Sequence, residues 1–152
     1  MEPYNRHTIM QNGEGQMIGR YAEQEFSNLL IAYKIEFCYR GSDKGSIDFQ
    51  VGNHTIDVKC KQRNCFAQPH YEAHVNWYQR EFDVGMYVFA SYWKQADELQ
   101  WMGAISKKRF WDEARTVEAG QMDGAFQEHQ DSGKIQYSQL KPLPELIEML
   151  RR

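Results

Sequence analysis

Apolar residues recur at Ile18, Ala22, Phe26, Leu29, Leu30 and Tyr33, the spacing of one helix face. They predict an amphipathic helix over 17–33, entered through Asn12-Gly13-Glu14-Gly15. The period then changes: 35–39 alternates like a strand, and Arg40-Gly41-Ser42-Asp43-Lys44-Gly45 reads as a loop. Ile47, Phe49 and Val51 alternate with Ser46, Asp48 and Gln50, and Ile56, Val58 and Cys60 with Thr55, Asp57 and Lys59. Each of these two strands therefore has one oily face, and Gly52-Asn53 between them favours a tight hairpin. Further on, the pattern predicts a short helix over 75–82, a buried strand over 86–91 and another strand over 99–106. Ser106 is placed to N-cap a helix running to about Ala119 and ended by Gly120. A strand over 135–137 and a last helix over 144–150, with Pro144 in its first turn, complete the chain. The order α-β-β-β-α-β-β-α predicts an α/β fold, a central mixed sheet flanked by helices. With no repeat, low-complexity tract or linker, 1–152 reads as a single domain.

A two-residue loop at Gly52-Asn53 fixes the hairpin register: Val51 faces His54, Gln50 faces Thr55, Phe49 faces Ile56, and Asp48 faces Asp57. The two aspartates become direct cross-strand neighbours with Cβ atoms about 4.5–5.5 Å apart, on the face opposite Phe49 and Ile56. Like charges so placed repel, and a divalent cation between them is the simplest remedy, since Mg²⁺ takes carboxylate oxygens and keeps several of its own waters. Lys59 points to the same face about 6.6 Å further along the strand, where an ammonium can polarise a water or stabilise charge building on phosphorus.

Composition narrows the class. The 152 residues are 41% apolar, 26% charged and 14% aromatic, which describes a folded domain rather than a disordered or fibrous chain. No apolar run approaches the roughly 20 residues needed to span a bilayer, and the polar opening Met1 to Arg6 lacks a signal-like stretch, so a cytoplasmic protein without membrane contact is expected. Cys38, Cys60 and Cys65 are odd in number and read as reduced thiols. The net charge of −3 argues against a general nucleic-acid binder until it is divided by region. Residues 34–63 hold six cations and four acids, 101–111 hold three cations and no acid, and the other 111 residues carry −8. Positive charge is thus gathered around the paired aspartates, with Arg40, Lys44, Lys61 and Arg63 as candidate phosphate contacts. Lys107, Lys108 and Arg109 beside Phe110 and Trp111 form a second candidate patch for DNA.

With 21 acids and nine lysines, about one acid-x-Lys triplet arises by chance, so Asp57-Val58-Lys59 alone is weak and its context carries the weight. In that context the chain resembles the PD-(D/E)XK nuclease superfamily. The resemblance rests on Gly19-Arg20-Tyr21-Ala22-Glu23, then Ser46-Ile47-Asp48-Phe49, then Ile56-Asp57-Val58-Lys59, with Ile47 where many members carry proline. It covers 17–60 closely and 75–106 more loosely, and 103–110 looks like strand-to-helix stretches of small phage-encoded members. Holliday-junction resolvases and restriction endonucleases are the branches it suggests. The resemblance implies a restriction-endonuclease-like αβββαβ core and a metal-dependent DNA endonuclease that uses Mg²⁺ or Mn²⁺. It implies that Asp48, Asp57 and the Val58 carbonyl bind the metal, that Lys59 assists the attacking water, and that Glu23 binds a second metal or holds one of its waters. It further implies hydrolysis leaving a 5′-phosphate, a homodimer that brings two sites to two strands and, for a phage-encoded chain, the host cytoplasm.

Three readings compete with parts of this one. Glu25 rivals Glu23, because both flank the apolar stripe of the helix. Cys60, Cys65, His70 and His74 have ligand types compatible with zinc, with His70 and His74 on one helix face. The alternative function is a nuclease fold that binds nucleic acid or protein without cutting.

Overall fold

The computed structural model describes residues 15–41 and 47–152. Helix α1 (Gly15–Ala32) forms where the apolar stripe predicts it and buries Ile18, Ala22, Phe26 and Leu30. Lys34, in the left-handed region at φ 57°, ends it: Ile35 N–H returns to the Leu30 carbonyl at 2.9 Å and Lys34 N–H to Ile31 at 3.0 Å. These bonds satisfy carbonyls that the last turn leaves open and reverse the chain toward the sheet.

Strands β1 (Cys38–Tyr39), β2 (Phe49–Val51) and β3 (His54–Arg63) are followed by β4 (Glu72–Asn76), β5 (Met86–Trp93) and β6 (Glu98–Ser106). The main sheet has the order β1-β2-β3-β5-β6; β3 and β5 run parallel and the other neighbours antiparallel, so the sheet is mixed as expected. The hairpin register is the expected one, Val51 with His54, Gln50 with Thr55 and Phe49 with Ile56, around Gly52 at φ 58°. One face of this sheet packs Phe49, Val51, Ile56, Val58 and Val88 against α1 and against α3 (Leu143–Leu150), which buries Leu146, Ile147 and Leu150. Among the described residues no helix is long and apolar enough to cross a membrane.

The other face carries Tyr87, Phe89 and Ile105 and is covered by α2 (Lys107–Glu113) and a second, three-stranded sheet. That sheet has the order β4-β10-β7, built with β7 (Arg115–Val117) and β10 (Ser132–Gln136), and a small hairpin of β8 (Met122–Asp123) and β9 (Phe126–Gln127) leads from β7 to β10. Two helix expectations are corrected here. Positions 75–82 are the end of β4 and a 3-10 turn over Trp77–Glu81: Ala73 and Val75 are buried while Glu72, His74 and Asn76 are half-exposed, a period of two that β10 completes by pairing along the whole strand. The helix opened by Ser106, whose Oγ accepts the Arg109 amide at 3.2 Å, stops at Glu113 instead of Ala119, and Arg115–Val117 joins β10. The segment 35–39 pairs only at Cys38 and Tyr39, whereas the strand expected over 55–60 runs on to Arg63.

Candidate active site

The site is built at a fork between β2 and β3. Their last main-chain rung is Asp48 N–H to the Ile56 carbonyl at 3.0 Å. Beyond it the Asp48 carbonyl accepts the Arg40 amide at 2.8 Å, while the Asp48 carboxylate accepts Val58 N–H at 2.9 Å where the next rung would stand. Because Ile56 and Val58 are two apart on one strand, the main chain of Val58 points to the same edge, and its carbonyl leaves β3 beside Asp48. Asp57, on the opposite face of β3 from Val58, brings its carboxyl into hydrogen-bond contact with that of Asp48.

Glu23 reaches the fork from α1. Only 7% exposed, it accepts the Tyr39 hydroxyl at 3.1 Å and also meets the Asp48 carboxyl. Glu23, Asp48 and Asp57 therefore form one continuous chain of carboxyl groups, to which Glu25 does not belong. Burial, then the charges of Asp57 and Glu23, push Asp48 up to about 9 against the opposing Val58 amide. Burial likewise raises Glu23, although the bonds from Tyr39 and Asp48 work the other way, and burial followed by the Glu23 charge raises the Tyr39 phenol.

Lys59 is the cation of the cluster. Its Nζ lies 3.0 Å from Asp57 Oδ2, donates to Gln79 Oε1 and sits 5.6 Å from the centre of the Tyr87 ring. Trp111 holds that ring from α2, with Nε1 donating to the Tyr87 hydroxyl at 3.0 Å. Gln79, Tyr39 and Tyr87 are the participants that sequence reading missed. Tyr39 ends the alternating 35–39 segment and could have been placed from it, but Gln79 arrives on a 3-10 turn that local periodicity does not reveal.

No protein-family model matches the chain, and no curated protein is similar enough to indicate a family.

The donors at the fork are oxygens, the type that a small, hard divalent ion takes. Asp57 faces Lys59, and burial followed by the neighbouring Asp57 and Glu23 charges raises Asp48. Among the described residues no three His, Cys, Asp or Glu side chains are grouped so that they could hold a metal ion between them. Mg²⁺ does not require such a group, since one or two carboxylates with a carbonyl and waters suffice. Zinc at Cys60, Cys65, His70 and His74 is not supported: Cys60 packs into the core behind β3, where burial pushes its thiol up to about 12, and His74 stands on β4 rather than on a helix with His70.

The candidate phosphate contacts separate into groups. Lys61 is exposed on the same strand face as Lys59, beside a cleft of about 260 Å³ that opens from the site. Arg63 is already held, donating to the Glu72 carbonyl and the Tyr137 hydroxyl, each at 3.1 Å. Arg40 donates to Gln50 at 3.0 Å and remains exposed at the fork. Lys107 is tied to the Phe82 carbonyl, while Lys108 and Arg109 pair along α2 with Asp112 and Glu113. Lys44 lies outside the described residues.

Proposed function

We infer that this chain is a metal-dependent DNA endonuclease with a restriction-endonuclease-like core. The observation that carries the reading is the fork itself, where Asp48 and Asp57 meet beside the Val58 carbonyl with Lys59 3.0 Å from Asp57 and Glu23 behind them. An isolated pair of half-buried acids would cost stability for nothing, whereas a pair that awaits a cation uses that cost to bind it.

A Mg²⁺ or Mn²⁺ ion held by Asp48, Asp57 and the Val58 carbonyl would supply Lewis-acid polarisation of a phosphodiester oxygen and an acidified water. The chain's own part follows from its geometry. Asp48, raised to about 9, would give up its proton to serve as a ligand. Lys59, oriented by Asp57 and Gln79, would face the position where negative charge develops on the phosphoryl oxygens and hold the attacking water in line. Glu23 anchors the opposite side of the carboxyl chain with Tyr39 as its donor. Arg40 and Lys61 supply exposed positive charge on either side of the cluster for the flanking phosphates.

The test is cleavage of duplex, branched and single-stranded DNA in Mg²⁺ or Mn²⁺, with Asp57→Ala and Lys59→Ala as controls. Metal-dependent cutting lost in both variants is the expected result. DNA binding without cutting in either metal would replace this reading with that of a non-cutting nucleic-acid-binding module.

A further inference from the structure

The strand face that carries Asp57 and Lys59 continues through Lys61 and Arg63 at about 6.6 Å per step. It leads into a second cleft of about 270 Å³, walled by β4 and β10. Its lining carries Lys61, Arg63 and Lys134 beside Glu72 and Asp123. The acids there are paired, Glu72 with Arg115 at 2.6 Å, Asp123 with Arg115 at 2.9 Å and with Lys134 at 2.6 Å, and Glu128 with Lys134. Lys61 is left as the exposed cation of the cleft that has no ion-pair partner among the described residues.

The lip of the cleft is formed by the β8–β9 hairpin, where Phe126 is 78% exposed. The hairpin is braced at its base. Asp123, cross-strand to Phe126, holds the two ion pairs just described, Glu128 N–H donates to the Gln121 carbonyl at 2.9 Å, and Gly120 N–H donates to the Glu128 carbonyl at 2.7 Å. A lone surface aromatic needs no explanation. Phe126 differs because a hairpin braced at its base holds it on a cleft that Tyr71 also lines and that shares Lys61 and His74 with the cleft beside Lys59. Positive charge that follows a backbone, alternating with exposed rings, is how proteins hold unpaired nucleic acid. The cleft is the size of a small-ligand pocket, much too small for a duplex.

We propose that this cleft receives an unpaired DNA strand next to the Asp48–Asp57 site, with its backbone against Lys61 and a base stacked on Phe126. The proposal rests on the nuclease reading and narrows its substrate to DNA with a single-stranded portion, such as a tail, flap or junction arm.

The experiment uses the full chain in Ca²⁺, which permits binding without cutting, and compares a blunt duplex with the same duplex bearing a single-stranded tail that contains 2-aminopurine. The tail is expected to tighten binding about tenfold, and its fluorescence to fall on stacking. Phe126→Ala abolishes both effects and Phe126→Trp retains them, while blunt-duplex affinity stays within twofold for each variant and reports that the fold is intact. A tail that adds no affinity, or a Phe126→Ala protein that binds it like the wild type, overturns the proposal. Parallel digests in Mg²⁺ separate the two readings. Cleavage indifferent to Phe126 overturns the stacking role and leaves the nuclease standing; Phe126-dependent tail binding without cleavage does the reverse. No binding to either DNA overturns both.

Discussion

The carboxylate of Asp48 accepts the main-chain amide of Val58 at 2.9 Å, standing in for the ladder bond that β2 would otherwise make with β3. That one contact opens the hairpin without leaving a buried amide unpaired, and it turns Asp48 toward Asp57. The site is thus an interruption of regular structure whose cost falls on Asp48, held up to about 9, and on Glu23, which burial also raises.

The first consequence is for stability. A carboxyl raised in the folded state binds its proton more tightly there than in the unfolded chain, so stability falls as pH rises from about 4 toward about 9. Asp48→Asn keeps an acceptor for Val58 N–H and removes the charge. Without metal it should stabilise the protein at pH 8 by about 1 kcal/mol, a rise of roughly 2–4 °C in Tm for a chain this size, and flatten the pH dependence. DNA cleavage should be lost in the same variant. Thermal melts at pH 5 and pH 8 check the sign, and a variant less stable than wild type at pH 8 would refute it.

The second concerns the cation. Because Asp48 is protonated at neutral pH and must ionise to bind a metal, uptake of Mg²⁺ or Mn²⁺ should release close to one proton below pH 9 and tighten as pH rises. Calorimetric titration at pH 7 in two buffers of different ionisation enthalpy measures that number. Asp48→Asn should release none and bind at least tenfold more weakly.

Much of this site was legible because its parts are local. The Gly52-Asn53 turn and the alternation on either side of it determine the register as far as Phe49 and Ile56, and Asp48 and Asp57 are the next residues beyond that pair. Periodicity left Glu23 and Glu25 equivalent; the Tyr39 hydroxyl, brought in by β1, distinguishes them. Other features depend on partners distant in the chain. β4 is a strand because Ser132–Gln136 pairs with it, more than fifty residues later, and nothing in 71–82 announces that partner. The α2 helix ends early for the same reason, since Arg115 is drawn to Glu72 and Asp123. Gln79 reaches Lys59 only because of the resulting crossover, so it lay beyond local reading.

Gln79 is accordingly a positioning residue with a measurable signature. Lys59 can rotate about four side-chain bonds, and the Gln79 carbonyl oxygen together with Asp57 fixes the ammonium. Gln79→Ala should lower kcat by about tenfold and leave KM within about twofold, because it disturbs the group that meets the transition state and not the exposed cations that bind DNA. Gln79→Glu, which retains an acceptor, should recover most of the rate. Equal losses in kcat and KM would instead indicate a contact with substrate.

The final prediction tests the brace behind the second cleft. Hydrogen bonds from Arg115 and Lys134 hold Asp123 down at about 2, and Arg115 also lowers Glu72. Carboxyls depressed in the folded state contribute stability that is present above their unfolded value, near 4, and is lost as pH falls toward 2. These bonds join β4, β7, β8 and β10, so their loss should loosen the second sheet and its hairpin before the main sheet. Hydrogen exchange in 115–136 should therefore accelerate between pH 4 and pH 2, after correction for intrinsic rates, while β3 and β5 stay protected. Arg115→Ala should produce the same local loss already at pH 7, along with faster proteolysis between Val117 and Ser132. Uniform loosening of both sheets would show that the ion pairs belong to the global fold and not to the hairpin.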